Sequence, residues 1–300
     1  MTITVVGSAN MDMVINAPRQ PKIGESIHGT GYFLSPGGKG ANQAAACAKM
    51  GADTYFVGKV GTDVFGKTLK QNLADLKVSA DYLQTGGNTG VALITVVGGD
   101  NYIVCDAGAN MELTTDEILK CEQHLIHSDA VLLQFEIPMS VNEKIMDVCR
   151  GKTTVFLNPA PAAAMDKTYL RGLDFFTPNE TEAPYYTGIT VDGLAGAFKS
   201  LDALRAMGVK YPIITLGENG VVYFNGKKNM YLEAFKVGAV DTTAAGDTFS
   251  GALAFMVAGG KDIDNAVKFA SAAAAISVTR PGAQNSIPSY AEVEAFLATR

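Results

Sequence analysis

Cysteine is scarce in this 300-residue chain and histidine scarcer. Cys47, Cys105, Cys121 and Cys149 form no CxxC pair and no Cys/His cluster at metal spacing, which argues against a zinc module or a disulfide framework. They are expected to stay reduced and to pack as small apolar residues. His124 and His127 stand three apart with no third ligand nearby, and His28 falls in a candidate lid strand, so none of the three suggests a metal. Excess basic charge is also missing. With 24 Lys and Arg against 30 Asp and Glu, the net charge of -6 gives no electrostatic support to a nucleic-acid partner. No apolar run reaches membrane-spanning length, and the start "MTITVVGSANMD" lacks a basic region followed by a long apolar core. A soluble, cytoplasmic protein without a membrane partner is expected. No GxGxxG follows a strand, which argues against an ordinary dinucleotide dehydrogenase.

What is present is a core-forming composition, 47% hydrophobic and 18% charged. Apolar, β-branched runs ("TITVVGSA", "TYFVGKVG", "AVLLQFE", "TTVFLNP", "PIITLG") have the length of buried strands. Between them lie helical patterns: "GANQAAACAKMG", "FGKTLKQNLADL", "TTDEILKCEQHLIHS", "VNEKIMDVCRG" and "GLAGAFKSLDALRAMG". Thr114 and Thr115 ahead of Asp116 and Glu117 mark a helix start, and Gly208 closes the helix begun near Gly193. Such alternation predicts an α/β fold with a mostly parallel, Rossmann-like central sheet flanked by helices. Residues 12–35 and 88–106 break the rhythm as short strands joined by glycine turns, and predict a small antiparallel sheet acting as a lid. The α/β unit then comprises residues 1–11, 36–87 and 107–300.

The stretch "VDTTAAGDTFSGAL" (Val240 to Leu253) admits two readings. Asp247 either complements the positive end of a helix, or stands beside an anion site made by the small residues Ala244, Ala245 and Gly246. In the second case a carboxylate that repels phosphate is best explained as a base for the attacking group.

"SPGGKGANQAAACAKMG" is a closely packed helix start in which Gly37, Gly38 and Gly40 also let a ligand approach the backbone, while Lys39 and Asn42 offer polar groups to a hydroxyl-rich ligand. Asn10 and Asp12 in "GSANMDM" follow the first strand, where open α/β sheets bind ligands. Asp12 is either a turn residue or an acceptor for two neighbouring hydroxyls, and Glu136 closes "VLLQFE" at an equivalent place. In "TPNETEA", Asn179, Glu180 and Glu182 are either solvated or able to hold Mg²⁺ through its waters, with Asn158 of "NPAPA" just upstream. "TLGENGV" (Thr215 to Val221) is a glycine turn between strands. "SVTRPGAQNSIP" (Ser277 to Pro288) ends a helix at Pro281 and Gly282, and its carbonyls with Asp241 could enclose a monovalent cation.

Together and in this order, these motifs closely resemble the PfkB carbohydrate kinases of the ribokinase type, across essentially the whole chain. The resemblance implies a β lid that also forms a homodimer interface, and the reaction of ATP with D-ribose to give ADP and D-ribose 5-phosphate. It implies sugar contacts from Asn10, Asp12, Gly38, Lys39, Gly40, Asn42 and Glu136, with Asp247 as the base and the amides of Ala244, Ala245 and Gly246 as an anion hole. Asn179, Thr215, Gly217, Glu218, Gly220, Gly246 and Ser271 would lie along the nucleotide, with Glu182 near Mg²⁺. Asp241, Thr243, Ser277, Arg280, Gly282 and Ser286 match positions around K⁺, Thr243 standing where an Ile is frequent. Ser271 stands where a larger polar residue, His or Asn, is expected beside the purine. A kinase acting on 2-deoxyribose or a ketose, and a non-catalytic sugar sensor, are the alternatives.

Overall fold

Alternating apolar side chains feed two cores at once. In the computed structural model, which describes residues 1–98 and 100–300, the strands are β1 (Thr2–Val6), β2 (Asn10–Asn16), β3 (Thr30–Gly37), β4 (Asp53–Val60), β5 (Ser79–Thr85), β6 (Gly90–Val97), β7 (Asp100–Asp106), β8 (Ala130–Leu133), β9 (Thr154–Leu157), β10 (Phe175–Phe176), β11 (Tyr211–Thr215), β12 (Val221–Phe224) and β13 (Asn229–Leu232). The helices are α1 (Lys39–Met50), α2 (Val64–Asp75), α3 (Thr115–Leu119), α4 (Glu122–His127), α5 (Met139–Cys149), α6 (Ala183–Thr187), α7 (Leu194–Ala206), α8 (Ala245–Ala258), α9 (Ile263–Ser277) and α10 (Tyr290–Ala298).

Nine strands form the main sheet in the order β13-β12-β11-β10-β9-β8-β1-β4-β5. Pairing is parallel from β5 to β11 and antiparallel at β12 and β13. Ile3, Val5, Leu132 and Phe156 point into one core shared with α1, α8 and α9, whereas Val6, Leu133, Val155 and Leu157 point into the other, under α4, α5 and α7. This is the expected architecture, and burial on both faces explains why the strands read as continuous apolar runs.

The second sheet has the order β3-β2-β6-β7. It is mixed, where an antiparallel sheet is expected from the glycine turns: β2 runs antiparallel to β3 but parallel to β6. The reason is connectivity. β2 follows β1 and β6 follows β5, two strands of the parallel main sheet that leave it at the same end. In register, Ser35, Asp12, Ala92 and Cys105 stand abreast, so their side chains share one face.

Four other expectations shift. His28 lies in the loop before β3, not in a strand. "TTDEILKCEQHLIHS" divides into α3, started by a full capping box at Thr114 and Glu117, and α4. Helix α9 already ends at Ser277, so Pro281 and Gly282 lie in the loop beyond it. Cys47, Cys121 and Cys149 are buried as expected, but Cys105 is exposed on β7.

Helices α1 and α8 cross at Gly251, where an added Cβ would stand 2.9 Å from the carbonyl oxygen of Gln43. Only glycine admits this approach, and it brings the start of α8 against the first turns of α1.

Candidate active site

The site lies at the carboxyl ends of β1, β8, β9, β10 and β11, where an open parallel sheet leaves backbone and loop groups free for ligands. A cavity of ≈ 220 Å³ opens there, lined by Lys39, Asn179, Glu182, Thr215 and the run Ala244 to Asp247 among others. Asn158, Thr177 and Thr242 line it as well.

Asp247 sits in the first turn of α8 and is buried. Its two oxygens accept from different amides of α1: Oδ2 from Asn42 Nδ2 at 3.0 Å and Oδ1 from Gln43 Nε2 at 3.1 Å. Burial raises its pKa, and the charge of Lys39 and the two amide donors oppose that rise, while Glu136 adds to it. The result is a carboxylate with more proton affinity than an ordinary Asp.

Ahead of it, Ala244 caps the helix at φ 59, ψ 14. An alanine in the left-handed region is held there by its surroundings, at a cost of ~1–2 kcal/mol. The residues that open α8 line the cavity, and no earlier helical turn is there to accept their amides. Of the three amides expected to form the anion hole, Ala245 N–H reaches the Thr242 carbonyl at 3.3 Å, so it is lightly engaged.

The sugar-side candidates converge from three segments. Glu136 lies three residues beyond the end of β8, not at its last position, and accepts from the backbone N–H of Lys39 at 3.0 Å and from Ser8 Oγ. Gly38 takes φ 89 at the start of α1, where an added Cβ would press on the backbone of Ala9 and Asn10, and Gly40 packs against Gly7 and Ser8. Asn10 Oδ1 accepts from Asn110 Nδ2 at 2.7 Å, and Asn110 Oδ1 in turn accepts from the backbone N–H of Ala9 at 2.9 Å. Asp12, reaching in from the small sheet, is pushed up to about 7 by burial and by the nearby charge of Glu136. Lys39 is the cation among these acids. Burial lowers its pKa, and Asp247, Glu136 and Glu182 together raise it above its ordinary value.

Among the residues expected along a nucleotide, Asn179 forms a parallel bridge with Thr215. Its side chain is occupied locally, Oδ1 accepting from the N–H groups of Thr181 and Glu182, each at 2.8 Å. Glu182 accepts from the Asn179 N–H at 2.9 Å. Its carboxyl is raised chiefly by burial, against which the Asn179 N–H and the charge of Lys39 act. Gly217, Glu218 and Gly220 form the turn between β11 and β12. Ser271 is half-buried in the middle of α9 and is not among the cavity-lining residues.

Asp241 links the proposed cation positions. Its Oδ1 accepts from the N–H and hydroxyl of Thr243, and its Oδ2 from the N–H of Gly282 at 2.8 Å. Burial opposes ionisation, but these donors outweigh it and hold the carboxyl below its ordinary value. Ser277 and Ser286 donate their hydroxyls to the carbonyls of Ala274 and Ala283. The Arg280 side chain is paired with Glu292 at 2.7 Å, which leaves the Arg280 backbone as its contribution to the loop.

Several residues of the site carry little sequence signal. Gln43, Gln134, Asn110 and Thr177 are buried polar side chains around it. The one available cue is a glutamine inside the alanine run of "GANQAAACA", a polar residue where the pattern demands a buried face. Conversely, "GTDVFGKT" (Gly61 to Thr68) has the GxxxxGK[ST] spacing of a phosphate loop. The structure removes it from candidacy, because the Asp63 carboxylate occupies the start of α2, accepting from the N–H groups of Gly66 and Thr89.

A family model for "pfkB family carbohydrate kinase" matches residues 2–290. The chain is 40% identical over 300 residues to a ribokinase of Haemophilus influenzae, covering 99% of this chain and 98% of that protein. Among solved structures, a ribokinase of Thermotoga maritima superposes with a TM-score of 0.90 at 39% identity, covering 99% of each chain. An Arabidopsis thaliana ribokinase complexed with ribose and ATP superposes with a TM-score of 0.91 at 33% identity, covering 98% of each.

Proposed function

Because this chain belongs to the pfkB family of carbohydrate kinases, we propose that it transfers the γ-phosphoryl group of ATP to O5 of D-ribose, giving ADP and D-ribose 5-phosphate. The observation that carries the reading is the placement of Asp247. A buried acid with raised proton affinity stands at a helix start, in a cavity shared with Lys39 and Glu182. A sensor that only bound sugar would have no use for it.

Asp12 accepts hydrogen bonds from neighbouring ribose hydroxyls, with Asn10, Lys39, Asn42 and Glu136 around the ring and Gly38 and Gly40 letting it lie on the backbone. Asp247 takes the proton of the 5-hydroxyl while O5 forms its bond to the γ-phosphorus. The bond from that phosphorus to the bridging oxygen breaks, and ADP departs with the electron pair. The amides of Ala244, Ala245 and Gly246 face the charge on the transferred group, so the chain supplies positioning and electrostatics and one base. Asn179, Thr215 and the turn Gly217 to Gly220 follow the nucleotide, and the small Ser271 leaves the purine edge open.

The oxygen donors of the cavity, Glu182 foremost, suit hydrated Mg²⁺, a hard cation that keeps most of its waters. When bound, it would neutralise phosphate charge. The loops joined by Asp241 suit K⁺, with Thr243, Ser277, Arg280, Gly282 and Ser286 providing chiefly carbonyl oxygen. Residues 12–35 and 88–106 act as the lid. Exposed Ile103 and Phe33 on the face of Asp12, and Leu93 and Val104 on the other, support a homodimer through this sheet. Among the described residues no helix is long and apolar enough to cross a membrane, and ATP as co-substrate supports a cytoplasmic location.

The test is ADP production across a pentose and hexose panel that includes 2-deoxyribose and ketoses. D-ribose should give the highest kcat/KM, and a much higher value for another sugar would overturn the assignment.

A further inference from the structure

Gln43 is fully buried in α1, directly after Asn42 and ahead of Ala44, Ala45 and Ala46. A buried amide is tolerated only when its donors and acceptor are met. Here they are met in a way that fixes its direction. Gln43 Oε1 accepts from Gln134 Nε2 at 2.7 Å, which turns Gln43 Nε2 toward Asp247 Oδ1 at 3.1 Å and Asn158 Oδ1 at 3.3 Å. Of the neighbouring amides, Asn158 is oriented by backbone, its Nδ2 donating to the Thr177 carbonyl at 2.9 Å, whereas Gln134 Oε1 is buried without a partner and its amide is held on Gln43 alone. The Gln134 donor on one side and the acceptor oxygens of Asp247 and Asn158 on the other therefore have Gln43 present a donor, and not its oxygen, to the carboxylate.

We propose that Gln43 is a positioning residue for phosphoryl transfer: acting through Asp247, with Gln134 setting the direction of its amide, it aims the carboxylate at the cavity and keeps it able to accept a proton. The inference rests on Asp247 serving as the base. Asn42 differs, since its Oδ1 is buried without a partner in the protein. The charged groups facing Asp247 are Lys39 from α1, Glu136 from beyond β8 and Glu182 from ahead of α6. Against burial, Lys39 and the amides of Asn42 and Gln43 favour the ionised form. Loss of the Gln43 donor should move the base toward higher pKa.

The test uses Gln43→Met, which keeps length and removes the donor, and Gln134→Met, which leaves Gln43 in place but frees its amide to turn. Turnover, sugar affinity by calorimetry and the pH dependence of kcat are measured on the sugar the parent enzyme phosphorylates best. For Gln43→Met, kcat should fall about tenfold or more, as expected for a hydrogen bond to a charged group. Its acid limb should move to higher pH, and the sugar Kd should stay within about threefold of the parent's, since Gln43 is fully buried with its amide already engaged by Asp247, Asn158 and Gln134. Gln134→Met should shift kcat and the limb in the same direction, by less. Turnover within about twofold of the parent overturns the inference, as does a loss matched by weaker sugar binding with the limb unmoved. If Gln43→Met shows no cooperative melt, Gln134→Met decides, and an unmoved kcat and limb there overturn it. A parent inactive on ribose but active on another sugar refutes the ribose assignment instead. Near-normal turnover in Asp247→Asn refutes the base, and the inference falls with it.

Discussion

The backbone N–H of Gly282 donates to Oδ2 of Asp241 across 2.8 Å, and so ties the loop behind α9 to the loop that enters α8. The carboxylate that makes this tie belongs to the proposed K⁺ positions. Asp241→Ala should lose both the tie and the cation's counter-charge. Potassium should then cease to raise the melting temperature, and activity measured against potassium concentration should flatten. A parent-like response in both measurements would count against the cation assignment.

Asp247→Asn keeps the shape of the side chain and removes the base. The expected outcome is a fall in kcat of about a hundredfold or more, with sugar binding by calorimetry close to that of the parent. Equal losses in turnover and binding would make Asp247 a sugar ligand and no more.

Asp12 offers a pH test with a definite sign. In the free protein its carboxyl is raised from 3.8 to about 7, chiefly by burial. Sugar hydroxyls that donate to it favour the ionised form, so ribose binding should expel a proton near neutrality. Affinity should weaken as the pH falls through about 7, approaching tenfold per unit. The same shift affects stability: the folded state holds this proton more tightly than the unfolded one, so ionising Asp12 destabilises the fold as pH rises from about 4 to about 7. Asp12→Asn should therefore melt several degrees higher than the parent at pH 8, with no gain at pH 4.

The thiols should react unequally. Burial pushes the Cys47 and Cys149 thiols up to about 12 and that of Cys121 up to about 11, whereas Cys105 is exposed. An aromatic disulfide reagent should find one fast thiol in the native protein and four after unfolding. Cys105 shares its face of the small sheet with Asp12, so saturating ribose should slow that one reaction.

Val104 is 70% exposed on the edge strand β7. If the small sheet joins two copies, light scattering should give twice the mass of the 31.5 kDa chain, and Val104→Lys should shift it toward the monomer with little change in melting temperature. A parent that is already monomeric would end the dimer reading.

Much of this was legible in the sequence, for reasons that differ from place to place. β1 and β8 read as strands because burial on both faces leaves an unbroken apolar run. Thr114 announces α3 because its capping box is local. The mixed pairing of the small sheet was not legible, since residues about 80 apart meet in β2 and β6 and neither strand records the direction of its partner. The acids and glycines of the site stood out because their chemistry is unusual at helix starts and strand ends. Gln43 did not, because its meaning depends on Asp247, 204 positions away, and on Gly251 letting two helices touch. The division between α3 and α4 and the exposure of Cys105 likewise come from tertiary placement, which no short window contains.

The parallel pairing of β2 with β6 also has a consequence for the order of assembly. β2 emerges early in the chain, yet its central neighbour cannot exist until β4, α2 and β5 have been laid down between them. Contacts this remote in sequence form late, after the entropy of the intervening chain has been spent. In refolding, protection of the β2 and β6 amides from exchange should therefore follow protection of the amides of α1 and α2, whose hydrogen bonds are local.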